Sequence, residues 1–392
     1  MKKKLLFVMN NIKVGGAEKA LVSLLQAIDY SVYEVDLFLF EKEGLLLSGV
    51  PSQVNILAAP ADYKYFEMPI GKAVLHYLST GRLKAVVARI LFGYIYKTEK
   101  NLSKKEQRSW KYLSAVLPKL PKKYDVSIGY LEKRPNYFCI DKTNAGRKIG
   151  FIHNDYQKLE MSADIDRPYF KQFDAIATVS DECKAVLEQV FPEFKPKFYM
   201  IGNVILPSVI RNMALESDEP LAQGLKIFTL GRLVPQKGFD IAIEAARLLK
   251  AAGMKFKWYI LGEGELETDL KNLALKKGVS EEIVFLGTRE NPYALLGKAD
   301  IYVQPSRFEG YGIAIAEAKI LGIPTVLTRF NLAEHHIRHG VNGLISEMDP
   351  ASLAEELEKL ISDESMRQSF RRELLASDYG TVSEMHKLYE LF

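Results

Sequence analysis

The chain has 392 residues, 48% of them apolar and 26% charged, which suits two or three domains with sizeable cores and excludes a staple-dependent miniature fold. Two cysteines, Cys139 and Cys183, are too few for a disulfide framework and fit a reducing compartment. The net charge of +4 hides an asymmetry: residues 60–124 hold fourteen Lys and Arg against four Asp and Glu, a local +10 on an otherwise mildly acidic body, and such a segment usually faces an anionic partner.

In chain order, Leu5–Met9 is an apolar run of five residues ended by two asparagines, too short for a secretory h-region of at least ~7 residues, so it reads as a first β-strand. Gly16 to Ile28 follows as a helix, then strands at Glu34–Phe40, Val126–Tyr130, Arg147–Ile152 and Ala175–Val179, with Ser180 as a helix N-cap. The stretch from Gly202 to Gly224, with Asn203, Pro207, Ser208, Ser217, Asp218 and Pro220, breaks this rhythm and reads as a linker. Beyond it come strands at Lys226–Leu230, Lys257–Leu261, Val284–Leu286, Ile301–Val303 and Thr325–Thr328. They alternate with helices at Phe239–Ala252 (stopped by Gly253), Glu265–Lys277 (stopped by Gly278), Ile313–Leu321 and Ala351–Ser362, and a last helical pattern runs to Phe392. Alternating strands and helices predict parallel sheets. The expected architecture is two doubly wound α/β domains with a cleft between them, and ligands in such sheets bind beyond the carboxyl ends of the strands.

Three strand-end loops carry chemistry. The first, Asn11 to Glu18, pairs Gly15 with Gly16, which permits close approach to a phosphate or sugar but serves equally well as a tight turn. In the second, Gly231 to Asp240, Arg232 and Lys237 form a natural clamp for a diphosphate, or are simply solvated loop charges. The third, Gln304 to Gly312, opens a helix bearing Glu317, eight residues after Glu309. Gly310 and Gly312 admit a ligand to the backbone, and the helix start offers free N–H groups to a phosphate.

Together these loops resemble glycosyltransferase family 4, the glycosyl transferases group 1 set of the GT-B fold. The likeness is supported by Gly262 in Leu261-Gly262-Glu263-Gly264 and by Glu334 followed by Asn342-Gly343-Leu344. It implies a domain at 1–205 that binds the acceptor, a nucleotide-sugar domain at 206–375, and a C-terminal helix at 376–392 crossing back to the first. By the same resemblance, Arg232 and Lys237 would hold the donor diphosphate, Glu309 the donor sugar and Glu317 the ribose. Gly262 and the backbone of Gly310, Tyr311, Gly312 and Ile313 would complete the donor site, Gly15 and Gly16 would border the reacting centre, and His153 would stand beside the donor sugar. The implied reaction is a retaining, front-side displacement needing neither metal nor protein nucleophile, with a UDP-sugar as the default donor.

Other signals weigh less. Asp164-Ile165-Asp166 mimics a metal-binding D-x-D but reads as a solvated turn; His335, His336 and His339 lack an evident third zinc ligand; Leu261 to Glu267 has Glu267 where a dinucleotide fingerprint needs glycine. No groove-binding motif supports nucleic acid. From Met68 to Lys97, apolar residues recur at helical spacing among Lys72, Arg82, Lys84, Arg89 and Lys97, with Trp110 and Tyr112 following. That pattern fits either an interfacial helix on anionic lipid or an insertion packed internally. The leading expectation is a cytoplasmic, membrane-peripheral transferase acting on a lipid-linked glycan. A soluble acceptor and a non-catalytic nucleotide-sugar-binding subunit remain open.

Overall fold

The computed structural model describes residues 2–13, 15–216 and 220–392; Val14 of the first glycine loop and Ser217 and Asp218 of the expected linker lie outside the described residues. Two compact units result, one containing Ala17–Val204 and Ser383–Phe392 and the other Ile205–Val382.

The first unit is built on seven strands: β1 (Lys3–Met9), β2 (Tyr33–Leu39), β3 (Asn55–Ala58), β4 (Lys123–Gly129), β5 (Asn144–Ile152), β6 (Ala175–Thr178) and β7 (Phe198–Met200). They lie in the order β3-β2-β1-β4-β5-β6-β7, with every registered pair parallel. Leu5 to Met9 are wholly buried, as a strand covered by helices on both faces must be. Ser180 caps the helix Asp181–Val190 by accepting from the Cys183 N–H. The C-terminal helix Glu384–Glu390 packs within this unit: Tyr389 stacks on Tyr33 at 5.3 Å, and the Gly202 N–H donates to Glu384 at 2.7 Å. Residues 376–382, expected to travel with that helix, stay with the second unit.

The second unit has β8 (Lys226–Leu230), β9 (Lys257–Leu261), β10 (Ile283–Gly287), β11 (Ile301–Gln304), β12 (Thr325–Thr328) and β13 (Gly343–Ser346) in the order β10-β9-β8-β11-β12-β13, again parallel throughout. Alternation along each strand separates two cores. Ile227, Trp258 and Val303 meet the helices Phe239–Ala251 and Pro350–Ser362, while Phe228, Tyr259 and Tyr302 meet the helix Ile313–Ile320. Strand order reverses between β8 and β11, the kind of switch point beyond whose strand ends ligands bind in such sheets.

Three expectations change. The supposed linker holds a helix, Pro207–Ala214, started by proline and burying Ile210. The stripe from Met68 to Lys97 is two helices, Ile70–Ser79 and Leu83–Thr98, broken where Gly81 takes a φ of +69°. Asp164 to Asp166 is not a solvated turn but part of the helix Ala163–Phe170. Asp166 is buried there and accepts from the hydroxyls of Tyr137 and Tyr156 and from Gln107 at 2.9 Å. Burial pushes its carboxyl up to about 6, against the pull of those donors.

Candidate active site

The switch point of the second sheet assembles the cationic loop and the glutamate loop. After β8, Gly231 leads to Arg232, whose side chain is exposed and holds no ion pair among the described residues. The chain then makes a short turn, Pro235–Lys237, and Gly238 takes a left-handed φ of +63° before the helix Phe239–Ala251. Only glycine suits that position, because a Cβ would stand 2.0 Å from the Pro305 carbonyl oxygen. The two loops are thereby in backbone contact, and three further links brace them. The Arg307 N–H donates to Gln236 O at 2.8 Å, Gln236 Nε2 donates to Phe308 O at 2.9 Å, and Arg307 grips Asp240 through two bonds of 2.9 and 2.7 Å.

Lys237 donates to both oxygens of Glu309, at 2.8 and 2.9 Å. Glu309 is only 4% exposed, so its charge must be matched locally. Ser306 Oγ at 2.6 Å and Gln304 Nε2 at 3.1 Å complete that match on Oε1, and the Tyr302 hydroxyl in turn donates to Gln304. Gln304 and Ser306 belong to the third loop segment but carry no role in the sequence analysis; for Gln304, two residues after Tyr302 on β11, strand alternation is the signal that puts both on one face.

Glu317 sits on the helix Ile313–Ile320, which begins after the left-handed Gly312. It is buried and accepts from the Tyr293 hydroxyl at 2.7 Å. Burial raises the Tyr302 hydroxyl well above its usual range, and the carboxylates of Glu309 and Glu317 both add to the shift, so both lie near this one phenol. Gly310 and Ile313 are buried, while Tyr311 is half-buried. The Tyr311 carbonyl meets Nε2 of His336, a buried imidazole that burial, with Lys319 adding, pushes down to about 4. His336 is therefore neutral at pH 7 and donates its Nε2–H, pinning the loop ahead of the helix. His339 instead accepts the Ile345 N–H through Nδ1, at 3.0 Å, and no metal-holding cluster occurs among the described residues. Gly262, at the end of β9, has a φ of +144° and lies so close to Gly231 that a Cβ would meet that carbonyl oxygen at 2.0 Å. Beside it Glu263 accepts from the Thr288 hydroxyl at 2.8 Å.

Gly15 lies in the loop after β1 and Gly16 opens the helix Gly16–Ala27. His153 directly follows β5; its N–H donates to Glu132 at 3.0 Å, and its ring packs against Phe151 and Tyr130. Its Nε2 is buried without a hydrogen-bond partner among the described residues, and burial pushes the imidazole down to about 4 despite Glu132. A neutral ring with one unsatisfied nitrogen is suited to a ligand hydroxyl.

The basic set divides. Lys72, Lys84 and Lys97 are exposed, and Arg82 is exposed but paired with Asp62. Arg89 and Trp110 do not face outward as the interfacial pattern requires. Arg89 is buried and donates to the carbonyls of Tyr65 and Met68 at 2.8 and 2.6 Å, and Trp110, 1% exposed, donates to Asp141 at 2.7 Å. Both are structural because the helices they join bury their aromatic and alanine faces, and leave Leu75, Leu83, Val87 and Tyr94 each more than half exposed.

Residues 217–374 match the family model described as glycosyl transferases group 1. The lipopolysaccharide core biosynthesis glycosyltransferase LpsE of Rhizobium meliloti is 33% identical over 142 residues, 36% of this chain and 41% of its own length. The amylovoran biosynthesis glycosyltransferase AmsK of Erwinia amylovora is 35% identical over 161 residues, 38% of this chain and 39% of its own. The match thus spans about two fifths of these curated relatives. Among solved structures, Anabaena HepE in complex with UDP and glucose covers 99% of this chain and 98% of its own at a TM-score of 0.67 and 18% identity, so the two-sheet GT-B fold is shared. The model described as glycosyl transferases group 1 thus matches most of the second unit of this chain, and the curated relatives are glycosyltransferases by name.

Proposed function

We propose that the chain is a retaining, metal-independent glycosyltransferase that moves a sugar from a UDP-sugar to a lipid-linked glycan in cell-surface polysaccharide assembly. The observation that carries this reading is the braced pair of loops at the β8/β11 switch point, where exposed Arg232 and the Lys237–Glu309 pair adjoin the start of a helix. Relatives named for lipopolysaccharide core and amylovoran biosynthesis, and a neighbour solved with UDP and glucose, support the class and the donor.

On this reading the diphosphate draws on Arg232, Lys237 and the N–H groups that open the helix Ile313–Ile320. Glu309, oriented by Ser306 and Gln304, receives hydroxyls of the donor sugar, and Glu317 reaches the ribose. His153 supplies a neutral imidazole to the sugar. As the glycosidic bond breaks, negative charge grows on the leaving phosphate, whose own oxygen takes the acceptor proton on the same face. The protein contributes position and fixed positive charge. The exposed apolar face of the helices Ile70–Ser79 and Leu83–Thr98, flanked by Lys72, Lys84 and Lys97, supports peripheral attachment to an anionic membrane. No helix among the described residues is long and apolar enough to cross a membrane.

Melting curves with UDP-, GDP- and ADP-sugars test the donor assignment. A UDP-sugar at a hundred times its Kd should stabilise the protein by ~2.7 kcal/mol, and single-turnover transfer to a lipid-linked acceptor should follow. Binding without transfer would mark a non-catalytic subunit, and full activity on a soluble glycan without lipid would displace the lipid-linked acceptor.

A further inference from the structure

We propose that a cavity inside the first unit seats the head group of the acceptor, and that this head group is a sugar phosphate carried on an apolar chain. The inference rests on the transferase reading and adds to it a place and a chemistry. The cavity holds about 810 Å³, the size of a site for a small ligand. Its walls are the loop after β1, the loop after β2, the helix Lys64–Glu67, the face of Leu83–Thr98 and the start of the helix Arg134–Lys142.

Arg134 is the centre of the argument. Its guanidinium lies 5.7 Å from the Phe40 ring and 5.9 Å from the Tyr63 ring, and donates to the hydroxyls of Tyr63 and Tyr96 at 2.6 and 3.3 Å. Both bonds go to neutral groups. No carboxylate pairs with it among the described residues, although Glu41, Glu67 and Glu106 line the same cavity. Glu41 is instead bound by Lys13 at 3.0 Å and Glu106 by Lys133 at 2.7 Å. A guanidinium with five N–H donors, two of them engaged by phenols, has a planar fork left for an anion such as phosphate.

Two further features fix the ligand's class. Asn10 Oδ1, which lines the cavity at the end of β1, is buried with no hydrogen-bond partner among the described residues. An acceptor in that state calls for a hydroxyl donor, as a sugar supplies. Glu67 stands near Glu41, and burial followed by that neighbour raises its carboxyl above the usual range, so the pair offers further partners to sugar hydroxyls. At the mouth, Ile90 and Tyr94 are exposed apolar groups and Lys97 is an exposed cation, all on the helix whose outer face is apolar. Phosphate inside and alkyl chain along the rim is the order in which these groups are met.

Titration calorimetry of the full chain tests this with decyl phosphate below its micellar concentration, inorganic phosphate, decyl maltoside and UDP. Decyl phosphate should bind more tightly than inorganic phosphate or decyl maltoside, and UDP should not displace it. The substitution Arg134→Gln should weaken decyl phosphate about 10- to 100-fold, the scale of a lost charged hydrogen bond, with UDP affinity unchanged. Lys97→Gln, on the surface and unable to disturb the core, should weaken it by a smaller factor. Equal binding by both variants and the unsubstituted chain, displacement by UDP, or inorganic phosphate binding as tightly as decyl phosphate would each overturn the proposal. Arg134-dependent binding of decyl phosphate in a chain that binds no UDP would support the cavity and refute the transferase reading.

Discussion

Lys237 and Glu309 hold each other, and Arg232 holds nothing of opposite charge among the described residues. The two cations should therefore fail in different ways. Losing Lys237 would, on the proposed function, remove a charge from the leaving group, and it strands a carboxylate that is 4% exposed, a situation that costs about 3–5 kcal/mol when one partner of a buried pair is deleted. Lys237→Ala should lower both the melting temperature and the transfer rate. Arg232→Ala removes an exposed side chain, so the melting temperature should stay put while single-turnover rates fall ~10²–10³-fold, the size of one lost electrostatic contact to a developing charge. Parallel melting and single-turnover measurements separate the two. Near-native rates for Arg232→Ala would remove that residue from the leaving-group site, and an unchanged melting temperature for Lys237→Ala would show that Glu309 does not depend on its partner.

At the scale of elements, the short helix Tyr293–Leu296 shares a buried core with the helix Ile313–Ile320 and adds a polar contact to it, the Tyr293 hydroxyl on Glu317 at 2.7 Å. Tyr293→Phe keeps the ring and its packing but withdraws that donor from a buried carboxylate, for a loss of about 1–3 kcal/mol in denaturant titration. No change in the midpoint would mean that the carboxylate is satisfied without it. Their pairing is not visible in the sequence, since Tyr293 and Glu317 belong to different elements 24 residues apart. Local pattern, by contrast, was legible. Lys226–Leu230, Lys257–Leu261 and Thr325–Thr328 are strands with the expected bounds, because each is an apolar run closed by glycine, proline or polar residues. The strands Asn55–Ala58 and Phe198–Met200 escaped because they are short edge strands of four and three residues with little apolar run to mark them. The loops carrying Arg232, Lys237 and Glu309 were legible as motifs, for glycines and charges at strand ends leave a sequence trace. The cavity around Arg134 was not, because its partners Tyr63 and Tyr96 lie 71 and 38 residues away.

Across the whole molecule, the buried titrating groups give the two units unequal responses to acid. His153 in the first unit and His336 in the second have imidazoles depressed from 6.5 to about 4 by burial. The unfolded chain then binds more protons than the folded one between these values, so stability contributed by each histidine is complete above pH 6.5 and drains away as pH falls toward 4. A depression of this size corresponds to roughly 3 kcal/mol per histidine. Asp166, raised from 3.8 to about 6, runs the other way: its favourable contribution is complete below 3.8 and lost as pH rises through 6. In the first unit His153 and Asp166 largely cancel between pH 4 and 6, whereas in the second burial and the neighbouring Lys319 both press His336 the same way. Amide hydrogen exchange at pH 7 and pH 5 should therefore show protection, after correction for intrinsic rates, falling more in β8, β11 and β12 than in β1, β4 and β5. His336→Gln, which keeps a side-chain N–H for the Tyr311 carbonyl but cannot take up a proton, should flatten the second unit's response and leave the first unit's unchanged. Equal loss of protection in both sheets on acidification would show that carboxylates elsewhere, rather than these three buried groups, set the acid limit of the fold.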